Sequence, residues 1–147
     1  MKRVLSIVAA GILMLAMAGA ALAQDRTVVK PENAPPAVGP YSQGIIANGF
    51  VYTSGQLPLT LDGNMPEGIE AQARQSLDNV KAVLEAAGSG LDKVVKVTIF
   101  MQDLNDFSKV NEIYATYFTG DAPARSCVQV ARIPRDALIE IEAIAVK

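Results

Sequence analysis

The chain reads as an α+β domain, two helices packed on one face of a mixed β-sheet, and three observations predict it. The apolar period switches between strand-like and helix-like along the chain, in the order strand, strand, helix, strand, helix, strand, strand. Asn48-Gly49 joins two β-rich runs, the pattern of a tight hairpin. The closing run from Leu138 to Val146 alternates cleanly, with Ile139, Ile141, Ala143 and Ala145 on one side and Glu140, Glu142 and Ile144 on the other. No repeat period, low-complexity tract or second domain interrupts this order.

The first residues stand apart from the fold. Lys2 and Arg3 precede an apolar run from Val4 to Met17, and Ala21-Leu22-Ala23 has the small-x-small form of a cleavage site. Residues 1–23 are therefore expected to be a signal peptide cleaved after about Ala23. The apolar run is too short for a convincing membrane span. Export would leave a domain of residues 24–147, periplasmic or secreted, with no membrane attachment.

In the expected domain, Asp25 to Pro36 is a polar lead-in whose prolines prevent helix. Val38-Gly39-Pro40-Tyr41 turns and presents an aromatic hydroxyl. Gly44 to Ala47 and Phe50 to Ser54 are the hairpin strands, and Gly55 then allows close backbone approach. Leu59 to Gly68 reads as a loop. Ile69, Ala73, Leu77, Val80, Leu84 and Ala87 make one helical face, stopped by Gly88. The β-branched run within Asp92 to Met101 predicts a central strand. A second helix is expected from Leu104 to Phe118, capped by Asp103 or Asn105, with Phe107, Val110, Ile113 or Tyr114, Tyr117 and Phe118 as its stripe. Asn111 falls on or beside that stripe, and its residue type alone favours a buried amide bonded to nearby backbone.

Composition narrows the chemistry. The 147 residues are half apolar, enough for a core. The chain has no histidine, which excludes Ser-His and Cys-His nucleophiles, histidine-liganded zinc and histidine acid/base work. Its one cysteine, Cys127, cannot form an internal disulfide. Without Lys2 and Arg3, 11 basic residues face 15 acidic ones, so the domain carries a net charge of −4 and no nucleic-acid footprint.

Arg125 is the residue that demands an explanation. It sits at the mouth of the strand Pro123-Ala124-Arg125-Ser126-Cys127-Val128-Gln129-Val130, where a cation is costly to bury without an anion. Arg125, Cys127, Gln129, Leu138, Glu140 and Ile144 are expected on the sheet face away from the helices, too apolar for open water and too polar for a sealed core. Burial between identical subunits would resolve this. Arg125 and Glu140 then have two readings: a structural salt bridge across neighbouring strands, or a site in which Arg125 holds a carboxylate and Glu140 polarises a water. Only the second uses Tyr41, Ser54, Gly55 and Asn111 as neutral partners. Cys127 lacks a base and reads as a small core residue whose backbone lines the site.

The segments GPYSQ (39–43), TSGQLP (53–58), QARQSLDNVKAVLEAAG (72–88), DLNDFSKVNEIY (103–114), PARSCVQVARIP (123–134) and IEIEAIAV (139–146) resemble the reactive-intermediate deaminase family, RidA type. The resemblance implies a chorismate-mutase-like fold, a homotrimer formed through the sheet face opposite the helices, and no cofactor. It implies a 2-iminobutanoate/2-iminopropanoate deaminase, which hydrolyses 2-imino acids to 2-keto acids and ammonia. On this sequence the family site falls at Tyr41, Ser54, Gly55, Asn111, Arg125, Cys127 and Glu140. Arg125 would bind the carboxylate and Glu140 would orient water, with backbone at Gly55 and Cys127 contacting the imine and Tyr41 closing the pocket. Two features depart from the usual members: the leader, and a connection at Thr119 to Ala122 that looks shorter. The competing expectations are a non-catalytic small-carboxylate-binding trimer in the periplasm and an endoribonuclease or translation-inhibitor activity, the latter opposed by the acidic charge.

Overall fold

The computed structural model describes residues 26–147, so the signal peptide expected at residues 1–23 lies outside the described residues. Six strands form one sheet: β1 (Thr27–Val29), β2 (Gly44–Ala47), β3 (Phe50–Thr53), β4 (Val94–Met101), β5 (Ala124–Gln129) and β6 (Ile139–Val146). Their spatial order is β1-β2-β3-β6-β4-β5. Helices α1 (Ile69–Ala86) and α2 (Phe107–Tyr117) follow β3 and β4 in the chain.

Local chemistry accounts for most boundaries. Asn48 and Gly49 adopt φ values of 51° and 76°, the left-handed pair that a two-residue hairpin between β2 and β3 requires. At the end of α1, Gly88 at φ 76° lets its own N–H reach the Glu85 carbonyl while the Ser89 N–H reaches Leu84, a Schellman closure. The Asp103 carboxylate accepts from the Asn105 N–H at 2.9 Å and caps a 3₁₀ turn, Leu104–Asp106, so α2 begins later than the sequence pattern suggests. β1 falls within the expected lead-in. It is too short to show a period and exists because β2 offers it a partner edge.

The core lies between the helices and one sheet face. Ala73, Leu77, Val80 and Leu84 of α1 and Val110 and Ile113 of α2 bury against Val51, Val97, Ile99, Ile139, Ile141 and Ala145. Fully buried Leu77 is the kind of residue whose truncation to Ala costs about 2–5 kcal/mol.

Two expectations about the sheet need correction. β5 and β6 are not neighbours: β4 lies between them, parallel to β5 and antiparallel to β6. The crossover through α2 makes this pairing parallel, because the chain returns to the same end of the sheet before entering β5. Nor do Arg125 and Glu140 share a face. Arg125 pairs with Val97 and Cys127 with Ile99, both buried under the helices, whereas Glu140 pairs with Phe100 on the opposite side. Arg125, Cys127 and Gln129 therefore belong to the helix side. The open side carries Glu140, Glu142 and Ile144 and exposes Phe50, Tyr52 and Val128 at 37%, 42% and 41%.

Candidate active site

The expected site residues gather into two groups. Tyr41, Ser54, Gly55 and Glu140, with Val38, Leu57 and Pro134, line a cavity of about 220 Å³. Asn111 and Arg125, with Tyr114, Ala115, Phe118 and Pro123, line a second one of about 370 Å³. Within one chain the two groups stay apart, on opposite faces of the sheet. Cys127 lines neither cavity.

The first group is built from backbone approach. The Ser54 hydroxyl donates to the Ser42 carbonyl at 2.6 Å and the Ser54 N–H to Gln43 at 2.9 Å. Ser54 thus spends its proton joining the Tyr41 turn to the end of β3. The Val38 N–H donates to the Tyr41 hydroxyl at 3.3 Å, which folds the ring back over its own turn. A Cβ on Gly55 would overlap the Glu140 carboxylate, with Cδ 2.6 Å and Cγ 2.9 Å away, so a side chain there would push Glu140 out of this position. Burial, with a smaller contribution from Glu142, pushes the Glu140 carboxyl above its ordinary range.

Among the described residues, the second group holds a cation in place without an anion. The Arg125 guanidinium donates to Asn111 Oδ1 at 2.7 Å, and its Cζ sits 4.4 Å from the Tyr114 ring centroid and 5.6 Å from that of Phe107. The salt-bridge reading of Arg125 and Glu140 fails: among the described residues the ion pairs are Lys81–Glu85, Lys109–Asp106 and Arg132–Asp136. The buried-amide expectation for Asn111 is also overturned, since Asn111 is exposed and serves Arg125.

Cys127 is half-buried, with Sγ 3.5 Å from the Met101 sulfur. Burial raises its thiol pKa more than Arg125 lowers it, the opposite of what a thiolate nucleophile needs. Tyr114 and Phe107 read in the sequence only as apolar stripe. The signal for their second role was present: Phe107, Asn111 and Tyr114 recur at spacings of four and three, one helical face that meets the start of β5.

Residues 31–147 match the family model described as endoribonuclease L-PSP. The chain belongs to this family. Its 2-iminobutanoate/2-iminopropanoate deaminase member from Escherichia coli K12 is 54% identical over 123 residues, 81% of this chain and 96% of the relative. The solved structure of the E. coli YjgF gene product is 52% identical and superposes with a TM-score of 0.80 over 82% of this chain and 98% of that one. E. coli TdcF, crystallised with bound serine, is 46% identical, with a TM-score of 0.80 over 82% of this chain and 98% of its own. The RidA-type resemblance of PARSCVQVA and IEIEAIAV and the α+β architecture are thereby borne out.

Proposed function

We propose that this chain is a 2-imino acid deaminase whose two half-sites meet between copies of a homotrimer. The observation that carries the reading is their complementarity: among the described residues, one presents a preorganised guanidinium with no anion, the other a half-buried carboxylate with no cation. A relative more than half identical is named for deaminating 2-iminobutanoate and 2-iminopropanoate, and another was crystallised with serine, itself a small α-carboxylate. The exposed Phe50, Tyr52 and Val128 on the helix-free face support burial against further copies.

In this reading Arg125 of one copy grips the substrate carboxylate through a two-pronged hydrogen bond, its fork held flat by Asn111 and Tyr114. Glu140 of the next copy takes a proton from water as the water oxygen bonds to C2. Addition moves the C=N electron pair onto nitrogen, which takes that proton from Glu140 and a second one given up by the new hydroxyl; the C–N bond then breaks to release ammonia as the C2–O bond becomes the ketone. The reaction is redox-neutral and consumes only substrate and water. Its raised pKa brings Glu140 closer to neutral pH, where a general base exchanges protons most effectively. The smaller cavity suits a short-chain acid, and the acidic net charge disfavours nucleic acid. The leader pattern of residues 1–23 supports action outside the cytosol, which secretion of a tagged chain would test.

The decisive test generates 2-iminopropanoate in situ with an amino-acid oxidase and traps it with semicarbazide. The protein should suppress semicarbazone formation and Arg125→Ala should not. Equal traces from both would sink the deaminase and leave a carboxylate-binding cleft.

A further inference from the structure

Helix α1 buries polar side chains beside its apolar stripe. Gln72 is 5% exposed and Asn79 2%. Amides this deep must satisfy their donors and acceptors within the protein. Asn79 donates through Nδ2 to the Leu57 and Leu59 carbonyls, both at 2.9 Å, and its Oδ1 accepts from Gln75 Nε2 at 3.0 Å. Gln72 donates through Nε2 to the Pro66 carbonyl at 3.0 Å, while its Oε1 accepts the Leu138 N–H at 2.8 Å.

Their partners lie on both of the segments that meet at the Glu140 contact. Leu57 lies just after Gly55, and Leu138 just before Glu140. Next to these anchor points Gln56 bridges to Ile141, its N–H reaching the Ile141 carbonyl at 2.8 Å and its carbonyl accepting the Ile141 N–H at 3.3 Å. One helix thus holds the backbone after Gly55 and the backbone before Glu140. The contact it braces is too close to admit a Cβ. A loop merely needing its carbonyls satisfied would not require the same helix to grip the opposing strand.

We infer that Gln72 and Asn79 are positioning residues for the reaction, setting the Gly55 backbone against the Glu140 carboxylate without touching substrate. The kinetic part of this inference rests on the deaminase reading; the titration part does not. Neither residue contacts the Arg125 half, so substrate anchoring should be spared.

The test compares the full chain with Gln72→Met and Asn79→Leu, which keep side-chain bulk and remove the hydrogen bonds, and with Gln72→Glu, which keeps an acceptor for Leu138. Two readouts are taken: kcat and KM in the imine-trapping assay, and the titration of Glu140 by ¹³C-carboxyl NMR. The inference expects kcat to fall about tenfold to a hundredfold with KM changed less than about twofold. It expects Glu140 to titrate closer to an ordinary carboxylate as water enters beside Gly55, and Gln72→Glu to recover part of both effects. A lowered Tm with wild-type kcat and an unmoved Glu140 titration would overturn it. If the wild type itself shows no turnover, the deaminase reading fails, and the Glu140 titration alone decides: moved supports positioning, unmoved refutes it. Should Asn79→Leu fail to fold, Gln72→Met decides by the same criteria.

Discussion

The Arg125 and Glu140 regions solve opposite problems with charge. Arg125 is half-buried, and two aromatic rings and an amide carbonyl oxygen replace part of the hydration its guanidinium gives up. Glu140 is half-buried among backbone and apolar side chains, so burial favours its protonated form. One region stabilises its ion and the other destabilises it. A group that must hold a carboxylate benefits from the first environment, and one that must exchange a proton with water benefits from the second.

The comparison breaks most sharply if the two regions act on one substrate from different copies. Arg125→Ala and Glu140→Gln should each be inactive, yet after co-refolding at equal ratio about a quarter of the interfacial sites would combine two intact halves in a cyclic trimer. Recovery of activity near that level confirms sharing; none at all, with mixed trimers verified by mass, shows that each site lies within one chain. Gly55→Ala tests the carboxylate side alone. The overlapping atoms are the movable end of Glu140, so the chain should fold while kcat drops about a hundredfold or more. Wild-type kcat in the folded variant would mean that the close packing is incidental.

Arg125→Lys probes the cation side. It retains charge and loses the flat fork that Asn111 and Tyr114 hold, so kcat/KM should fall by about one to two orders of magnitude, chiefly through KM. An unchanged KM would make Arg125 a point charge only.

Glu140→Gln also sharpens the comparison through stability. Because the folded carboxyl has a raised pKa, its contribution is fully present below its ordinary value and is lost as pH rises through the folded one. At neutral pH the neutral amide should therefore raise Tm, and the gain should vanish on acidification below the ordinary carboxylate range. A Tm that falls at neutral pH would show that the charge is better solvated than its burial suggests.

The smallest effect is expected away from both regions. The Tyr117 hydroxyl donates to Asp78 at 2.9 Å across the two helices, and burial, with that carboxylate, pushes its pKa up to about 12. Tyr117→Phe should cost about 0.5–1.5 kcal/mol at neutral pH and leave turnover unchanged. The wild-type advantage is present below the ordinary tyrosine pKa and fades as pH climbs toward the folded value. A denaturant titration and a rate assay check both.

Whatever depends on neighbours along the chain is legible in the order of its residues. The Asn48-Gly49 turn, the α1 stripe with its Gly88 stop and the alternation of β6 all follow from local backbone preference and period. The motifs also named the candidate residues. Strand adjacency was another matter, because alternation shows that residues share a face without showing which face. Thus the alternation places Arg125 and Glu140 on strands, but only the insertion of β4 between β5 and β6 turns them to opposite faces. The buried amides Gln72 and Asn79 were hidden for the same reason: their partners lie at Leu138 and Leu57, distant in sequence, and only the packing of α1 against those segments gives a polar side chain somewhere to spend its hydrogen bonds.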